Sequence, residues 1–201
     1  MGLRVRVVGR PATRHTLLVS NHVSWFDILI LGGFAGSALV SKDELGHGLL
    51  HWLADQNDTV YVKRSQRKGA KDQAILLAKA LDREQPIAVF PEGTTGPGDH
   101  LLPFRSTLLE AANFAAKDVE VRPVAIDYGA AMDDVAWFNE SGRDNVLRLL
   151  GRRGVLPVTV NLHDPLDRSG DRKQLAAGAR AAIARTLGFK LDAHSPIGGV
   201  E

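Results

Sequence analysis

Short apolar runs rich in Val, Ile and Leu alternate along the chain with longer stretches whose apolar positions return every three or four residues. The first pattern predicts strands and the second amphipathic helices. Strands are expected over residues 3–8, 16–20, 38–40, 59–63, 87–90, 119–126 and 155–162, and helices over 25–31, 43–55, 69–83, 106–116, 144–150 and 172–187. This alternation defines an α/β fold in which helices flank a mixed, largely parallel sheet. No repeat, low-complexity tract or linker divides the chain, so a single domain over residues 1–201 is expected, completed by the strand and helix within 155–187. Because residues 3–8 already alternate like a strand, an upstream segment is expected to have been removed or to be naturally missing.

Composition narrows the classes. Hydrophobic residues make up 44% and charged residues 24%, values of a globular domain. The formal charge of +2 gives no reason to expect a nucleic-acid partner. The chain has no cysteine, which excludes disulfides, thiolate metal sites and a cysteine acyl-enzyme. No apolar run approaches the length of about 18 residues that a membrane-spanning helix needs.

Two segments place polar residues directly after an apolar strand, where ligands gather in open α/β sheets. In the first, Asn21-His22-Val23-Ser24-Trp25-Phe26-Asp27, His22 and Asp27 stand five positions apart. On one continuous helix they would point about 140° apart, but across a strand-to-helix turn the carboxylate can hold one ring nitrogen and leave the other as a base. The same residues also fit a packed turn histidine and an aspartate favoured at a helix N-terminus. No G-x-S-x-G nucleophile is present, so a base here suggests direct activation of a substrate hydroxyl. The second segment, Phe90-Pro91-Glu92-Gly93-Thr94-Thr95-Gly96-Pro97-Gly98, has the glycines and hydroxyls to wrap a phosphate or oxyanion, and equally those of a Gly/Pro turn. A third signal is basic: Lys63, Arg64, Arg67, Lys68 and Lys71 contain no acid among them, as an anion site or a solvated face would.

Together these blocks resemble the glycerolipid acyltransferase family, most closely the bacterial 1-acyl-sn-glycerol-3-phosphate acyltransferases. Asn21, His22 and Asp27 match the family's N-H-x4-D motif. Tyr61-Val62-Lys63-Arg64 is similar to its second block, with Arg64 at the phosphate-binding position. Phe90 to Gly96 resembles F-P-E-G-T-R-S, and Val121-Arg122-Pro123-Val124 its proline-containing strand, all in family order within residues 15–128. The resemblance implies an O-acyltransferase that moves a fatty acyl group from acyl-carrier protein or acyl-coenzyme A to the hydroxyl of 1-acyl-sn-glycerol-3-phosphate, giving phosphatidic acid. It implies His22 as general base with Asp27 as its partner. Arg64 and the loop residues Glu92, Gly93, Thr94 and Thr95 would hold the acceptor head group. It implies no metal and no resident cofactor. The partners are a lysophospholipid and a membrane surface, with the protein peripheral at the cytoplasmic face, the bacterial inner membrane in a bacterium. The family commonly carries an N-terminal membrane-docking or spanning segment, which this chain does not show.

One departure bears on the acceptor: the family's arginine after E-G-T is Thr95 here, and Arg105 in Leu102-Pro103-Phe104-Arg105 is the candidate to replace it. Another lysolipid, such as lyso-ornithine lipid, is therefore the alternative acceptor. The rival classes are a thioester hydrolase and a non-catalytic lipid-binding module. Among weaker signals, His47, His51 and Asp55 are spaced like metal ligands, but they lie opposite the stripe Leu45, Leu49 and Leu53 and read as a solvated face. Trp137 and Phe138, in the irregular stretch 129–142, fit either an interfacial contact or packing beneath a long loop.

Overall fold

The structure, a computed structural model, describes residues 2–42, 60–62, 69–168 and 170–191. Its strands are β1 (Gly2–Val8), β2 (Thr16–Ser20), β3 (Ala38–Lys42), β4 (Val60–Val62), β5 (Ile87–Val89), β6 (Glu120–Asp127) and β7 (Val155–Leu162). Its helices are α1 (Phe26–Phe34), α2 (Gly69–Leu81), α3 (Ala111–Phe114), α4 (Met132–Val135), α5 (Gly142–Gly151) and α6 (Arg172–Leu187). The helix expected over 43–55 lies outside the described residues.

Seven strands form one sheet in the order β1-β7-β6-β2-β5-β3-β4. All pairs are parallel except β6 with β7, so the sheet is mixed and largely parallel as its pattern predicts. Side chains alternate across β2: Leu17 and Val19 enter one core layer, Leu18 the other. That two-sided burial explains why a central parallel strand reads as the unbroken run Thr-Leu-Leu-Val-Ser. One layer packs Leu77 and Leu81 of α2 and Ala179 and Ile183 of α6 on the sheet. The opposite layer packs Ile30 and Leu31 of α1 with Val135 and Leu149 against Val124, Val158 and Val160.

Several helix boundaries differ from the pattern. α1 runs on through Gly32 and Gly33 to Phe34, because Ile30 and Leu31 anchor it in the core. The stretch expected as one helix over 106–116 starts as a 3-10 turn, Thr107–Glu110, before α3. α5 starts at Gly142 because Ser141 caps it, its hydroxyl accepting from the Asp144 N–H at 3.1 Å. The irregular stretch before it contains a 3-10 turn, Gly129–Ala131, and the short α4.

Because β2, β5 and β6 are mutually parallel, their carboxyl ends meet at one edge of the sheet. Antiparallel pairing brings the start of β7 to that same edge.

Candidate active site

The ladder between β2 and β6 is prolonged by a side chain. Asn21 is fully buried; its Nδ2 donates to the Ile126 carbonyl at 3.0 Å and its Oδ1 accepts from the Ile126 N–H at 2.8 Å. This amide fixes the point at which the chain leaves the sheet. Asp27 then organises the turn into α1, since its Oδ2 accepts from the N–H groups of Val23 at 2.7 Å and Ser24 at 2.9 Å. Ser24 Oγ accepts from the Phe26 N–H at 3.3 Å, so a second side chain serves the first turn of the helix. The helix start that Trp25 cannot cap is thus capped by its neighbours.

The same Oδ2 lies 2.8 Å from His22 Nδ1. His22 precedes α1 and Asp27 stands in its first turn, so the five-residue offset closes across a bend instead of diverging around a helix. A carboxylate only accepts, which assigns the proton to Nδ1 and leaves a lone pair on Nε2. Nε2 makes no hydrogen bond among the described residues, and the His22 side chain is 15% exposed. Its ring stacks on Phe90 with centroids 4.0 Å apart and planes 18° from parallel.

Asp27 has one further partner that the sequence reading missed: the Tyr128 O–H donates to Oδ1 at 2.6 Å. Asp27 therefore accepts four hydrogen bonds at full burial, which offsets the desolvation of a carboxylate. Tyr128 is buried too. Burial, and then the charge of Asp27, push its hydroxyl well above the usual value of 10, so it stays a neutral donor. Its only sequence signal was a lone tyrosine just past the strand pattern 119–126.

The loop after β5 holds the His22 backbone from both sides. Glu92 Oε1 accepts from the His22 N–H at 2.8 Å, and the Gly96 N–H donates to the His22 carbonyl at 2.7 Å. Glu92 Oε2 accepts from the Leu102 N–H at 2.9 Å, so both of its oxygens are engaged by backbone donors. Burial raises the Glu92 carboxyl from 4.5 to about 7, outweighing the two backbone bonds that lower it. Gly96 belongs to this clamp, since a Cβ there would stand 3.2 Å from Glu92 Oε2.

The other expected site residues divide. Gly93 adopts φ +75°, and a Cβ on it would lie 3.6 Å from the Arg105 guanidinium. Arg105, exposed and tied by its N–H to the Pro91 carbonyl at 2.9 Å, is thereby brought onto the loop. Thr94 is exposed, whereas the Thr95 hydroxyl turns inward and donates to the Trp137 carbonyl at 2.7 Å. The Trp137 N–H in turn donates to the Val23 carbonyl at 2.7 Å, so the 129–142 stretch is laced to both site loops. Arg64, with Lys63, Arg67 and Lys68, lies outside the described residues, as do His47, His51 and Asp55. Arg122 of the fourth block is fully buried and points away from this edge. Its guanidinium donates to the carbonyls of Arg10 at 2.8 Å, Pro11 at 3.0 Å and His163 at 2.8 Å, tying the β1–β2 connection to the end of β7.

A mixed α/β sheet with a histidine held by a buried carboxylate at its carboxyl edge suits group transfer to a hydroxyl. The chain belongs to the acyltransferase family, whose model matches residues 4–127, and it is an O-acyltransferase. It is 34% identical over 200 residues to a lyso-ornithine lipid O-acyltransferase of Rhodobacter capsulatus, covering 94% of this chain and 71% of that protein. A lyso-ornithine lipid O-acyltransferase of Pseudomonas aeruginosa is 36% identical over 193 residues, covering 91% and 72%. Among solved structures, the 1-acyl-sn-glycerophosphate acyltransferase PlsC of Thermotoga maritima superposes with a TM-score of 0.60 at 26% identity, over 94% of this chain and 74% of that one.

Proposed function

We propose that the protein transfers a fatty acyl group from an acyl-carrier-protein or coenzyme A thioester to the free hydroxyl of a lysolipid, with lyso-ornithine lipid as the preferred acceptor. The observation that carries the chemistry is the 2.8 Å contact between His22 Nδ1 and Asp27 Oδ2, which leaves Nε2 able to take a proton. The acceptor hydroxyl gives its proton to Nε2 as its oxygen attacks the thioester carbon. Asp27 stabilises the resulting imidazolium. As the C–S bond breaks, the departing thiolate recovers the proton from Nε2, and the ester product and free thiol leave. Tyr128 and the Glu92–Gly96 clamp act as positioning groups, holding Asp27 and the His22 backbone respectively.

Support for the acceptor comes from the loop chemistry and from relatives. Thr95 stands where the 1-acylglycerol-3-phosphate enzymes carry an arginine, and its hydroxyl is spent on the Trp137 carbonyl. The two bacterial relatives at 34% and 36% identity bear the lyso-ornithine name. A second reading, 1-acyl-sn-glycerol-3-phosphate, is favoured by the Arg105 guanidinium beside Gly93, a cation able to bind a phosphomonoester. Comparing kcat/KM for the two lysolipids separates them. Lyso-ornithine lipid is expected to be the better substrate, and Arg105→Ala is expected to change its KM less than threefold. A wild-type preference for the phosphate acceptor, lost in Arg105→Ala, would establish the second reading instead.

A further inference from the structure

α6 lies wholly beyond residues 4–127, the part of the chain that the family model matches. Its Ala176 and Ala179 share a core layer with Leu101 and Phe104, so the helix packs beneath the far end of the loop that holds His22. From there Arg180 Nη2 donates to the Leu101 carbonyl at 3.0 Å. Leu101 and Leu102 share one peptide unit. Its oxygen is held by Arg180, and its N–H is the one that Glu92 Oε2 accepts at 2.9 Å. In a planar trans peptide the oxygen and the N–H point in opposite directions, so guanidinium and carboxylate stand at opposite ends of the same unit. The cation meets the negative end of the peptide dipole and the anion the positive end, an order in which each hydrogen bond polarises the next. The other Glu92 oxygen accepts the His22 N–H at 2.8 Å, which completes a line of contacts from α6 to the backbone of the base.

The charge of Arg180 is the feature that a structural tie leaves unexplained. Any uncharged donor could hold one carbonyl without the cost of drawing a cation partly out of water. Arg180 makes no ion pair among the described residues, and its Nε is buried without a hydrogen-bond partner. What its charge does reach is Glu92. Burial raises that carboxyl to about 7; Asp27, from α1, adds to the rise, and Arg180, from α6, opposes it. The other titratable groups at this loop are the His22 ring, stacked on Phe90, and Arg105 beside Gly93. Both Glu92 oxygens accept backbone N–H groups, so a proton placed on either one would compete with a donor already there.

We infer that Arg180 is a positioning residue for acyl transfer, paired with Glu92 through the Leu101–Leu102 peptide so that Glu92 remains a carboxylate against the His22 N–H. The inference rests on the acyltransferase reading for its purpose. Without the guanidinium, Glu92 takes up its proton at higher pH, and the hold on His22 is lost from that pH downward.

The test is the pH profile of kcat with labelled acyl-coenzyme A and lyso-ornithine lipid, for wild type, Arg180→Met and Arg180→Lys, and for Arg180→Met combined with Glu92→Gln. Arg180→Met is expected to lose at least fivefold in kcat at pH 7, with both KM values within twofold of wild type and the acid limb moved to higher pH. Arg180→Lys, which keeps the charge, is expected to recover most of the loss. On the Glu92→Gln background, where no carboxylate is left to hold, Arg180→Met is expected to cost less than a further twofold. An equal loss on both backgrounds would make Arg180 a structural tie and overturn the inference. So would a change in KM alone, or an unmoved acid limb. Circular dichroism checks the fold; if Arg180→Met does not fold, Arg180→Gln, which keeps a donor and drops the charge, takes its place. If wild type transfers no acyl group, the enzymatic reading fails, and the pair is judged on carboxyl ¹³C NMR of Glu92, assigned with Glu92→Gln. There, titration at higher pH in the uncharged variant supports the pair, and an unmoved titration overturns it.

Discussion

The Tyr128 hydroxyl reaches Asp27 Oδ1 at 2.6 Å from a position 101 residues away in sequence, and both side chains are sealed from solvent. Asp27 thus has two separate duties on its two oxygens. Oδ2 holds His22 and the turn, while Oδ1 is held by Tyr128, just past the end of β6.

Removing that hydroxyl leaves a buried carboxylate oxygen without a donor. Hydrogen bonds to charged groups contribute about 1.5–3 kcal/mol, so Tyr128→Phe is expected to lower kcat by roughly 10- to 100-fold. KM for donor and acceptor is expected to hold, because Tyr128 is buried behind Asp27. Steady-state kinetics checks it; a rise in KM at constant kcat would place Tyr128 in substrate binding instead.

Glu92 links stability to pH. Its carboxyl is raised from 4.5 to about 7 in the folded protein, so between these values the native state keeps a proton that the unfolded chain has lost. The stabilisation is complete below pH 4.5 and is lost as pH rises through about 7, an amount on the order of 3 kcal/mol. Urea unfolding of wild type and Glu92→Gln across this window is expected to show that slope in wild type relative to the variant. Gln also sets an amide N–H against one of the two backbone N–H groups that Glu92 accepts. At pH 7.5 the variant is therefore expected to lose activity through a displaced His22 loop.

Asn21→Ala leaves both the N–H and the carbonyl of Ile126 without their partner in a buried setting. Each such group costs about 1–3 kcal/mol, so a loss of roughly 2–6 kcal/mol is expected in denaturant unfolding. A change below 0.5 kcal/mol, about the scatter of ordinary surface substitutions, would mean that the amide bridge contributes little.

Local pattern carried much of the fold. β2 and β7 occupy the residues expected of them, because a buried run and a strict alternation are both visible without tertiary information. α1 overran its expected end because burial of Ile30 and Leu31 outweighs the helix-breaking tendency of two glycines, a balance set by packing. His22 and Asp27 were legible as a pair because their link is local. Tyr128 and the clamp by Glu92 were not, since those bonds close over 101 and 70 residues and depend on which strands lie side by side. Trp137 and Phe138, alike in sequence, separate only in three dimensions. The Trp137 indole donates to the Glu140 carbonyl at 3.1 Å beneath the loop, while Phe138 is left exposed.

The most direct measurement is formation of acylated product by purified wild type and His22→Ala, given a labelled acyl thioester and lyso-ornithine lipid, with circular dichroism as the check on folding. General-base assistance is commonly worth about 10²–10⁴ in rate, and a loss of that size at unchanged fold is the expected result. Turnover near wild type in a folded His22→Ala protein would contradict the assignment of His22 as the base.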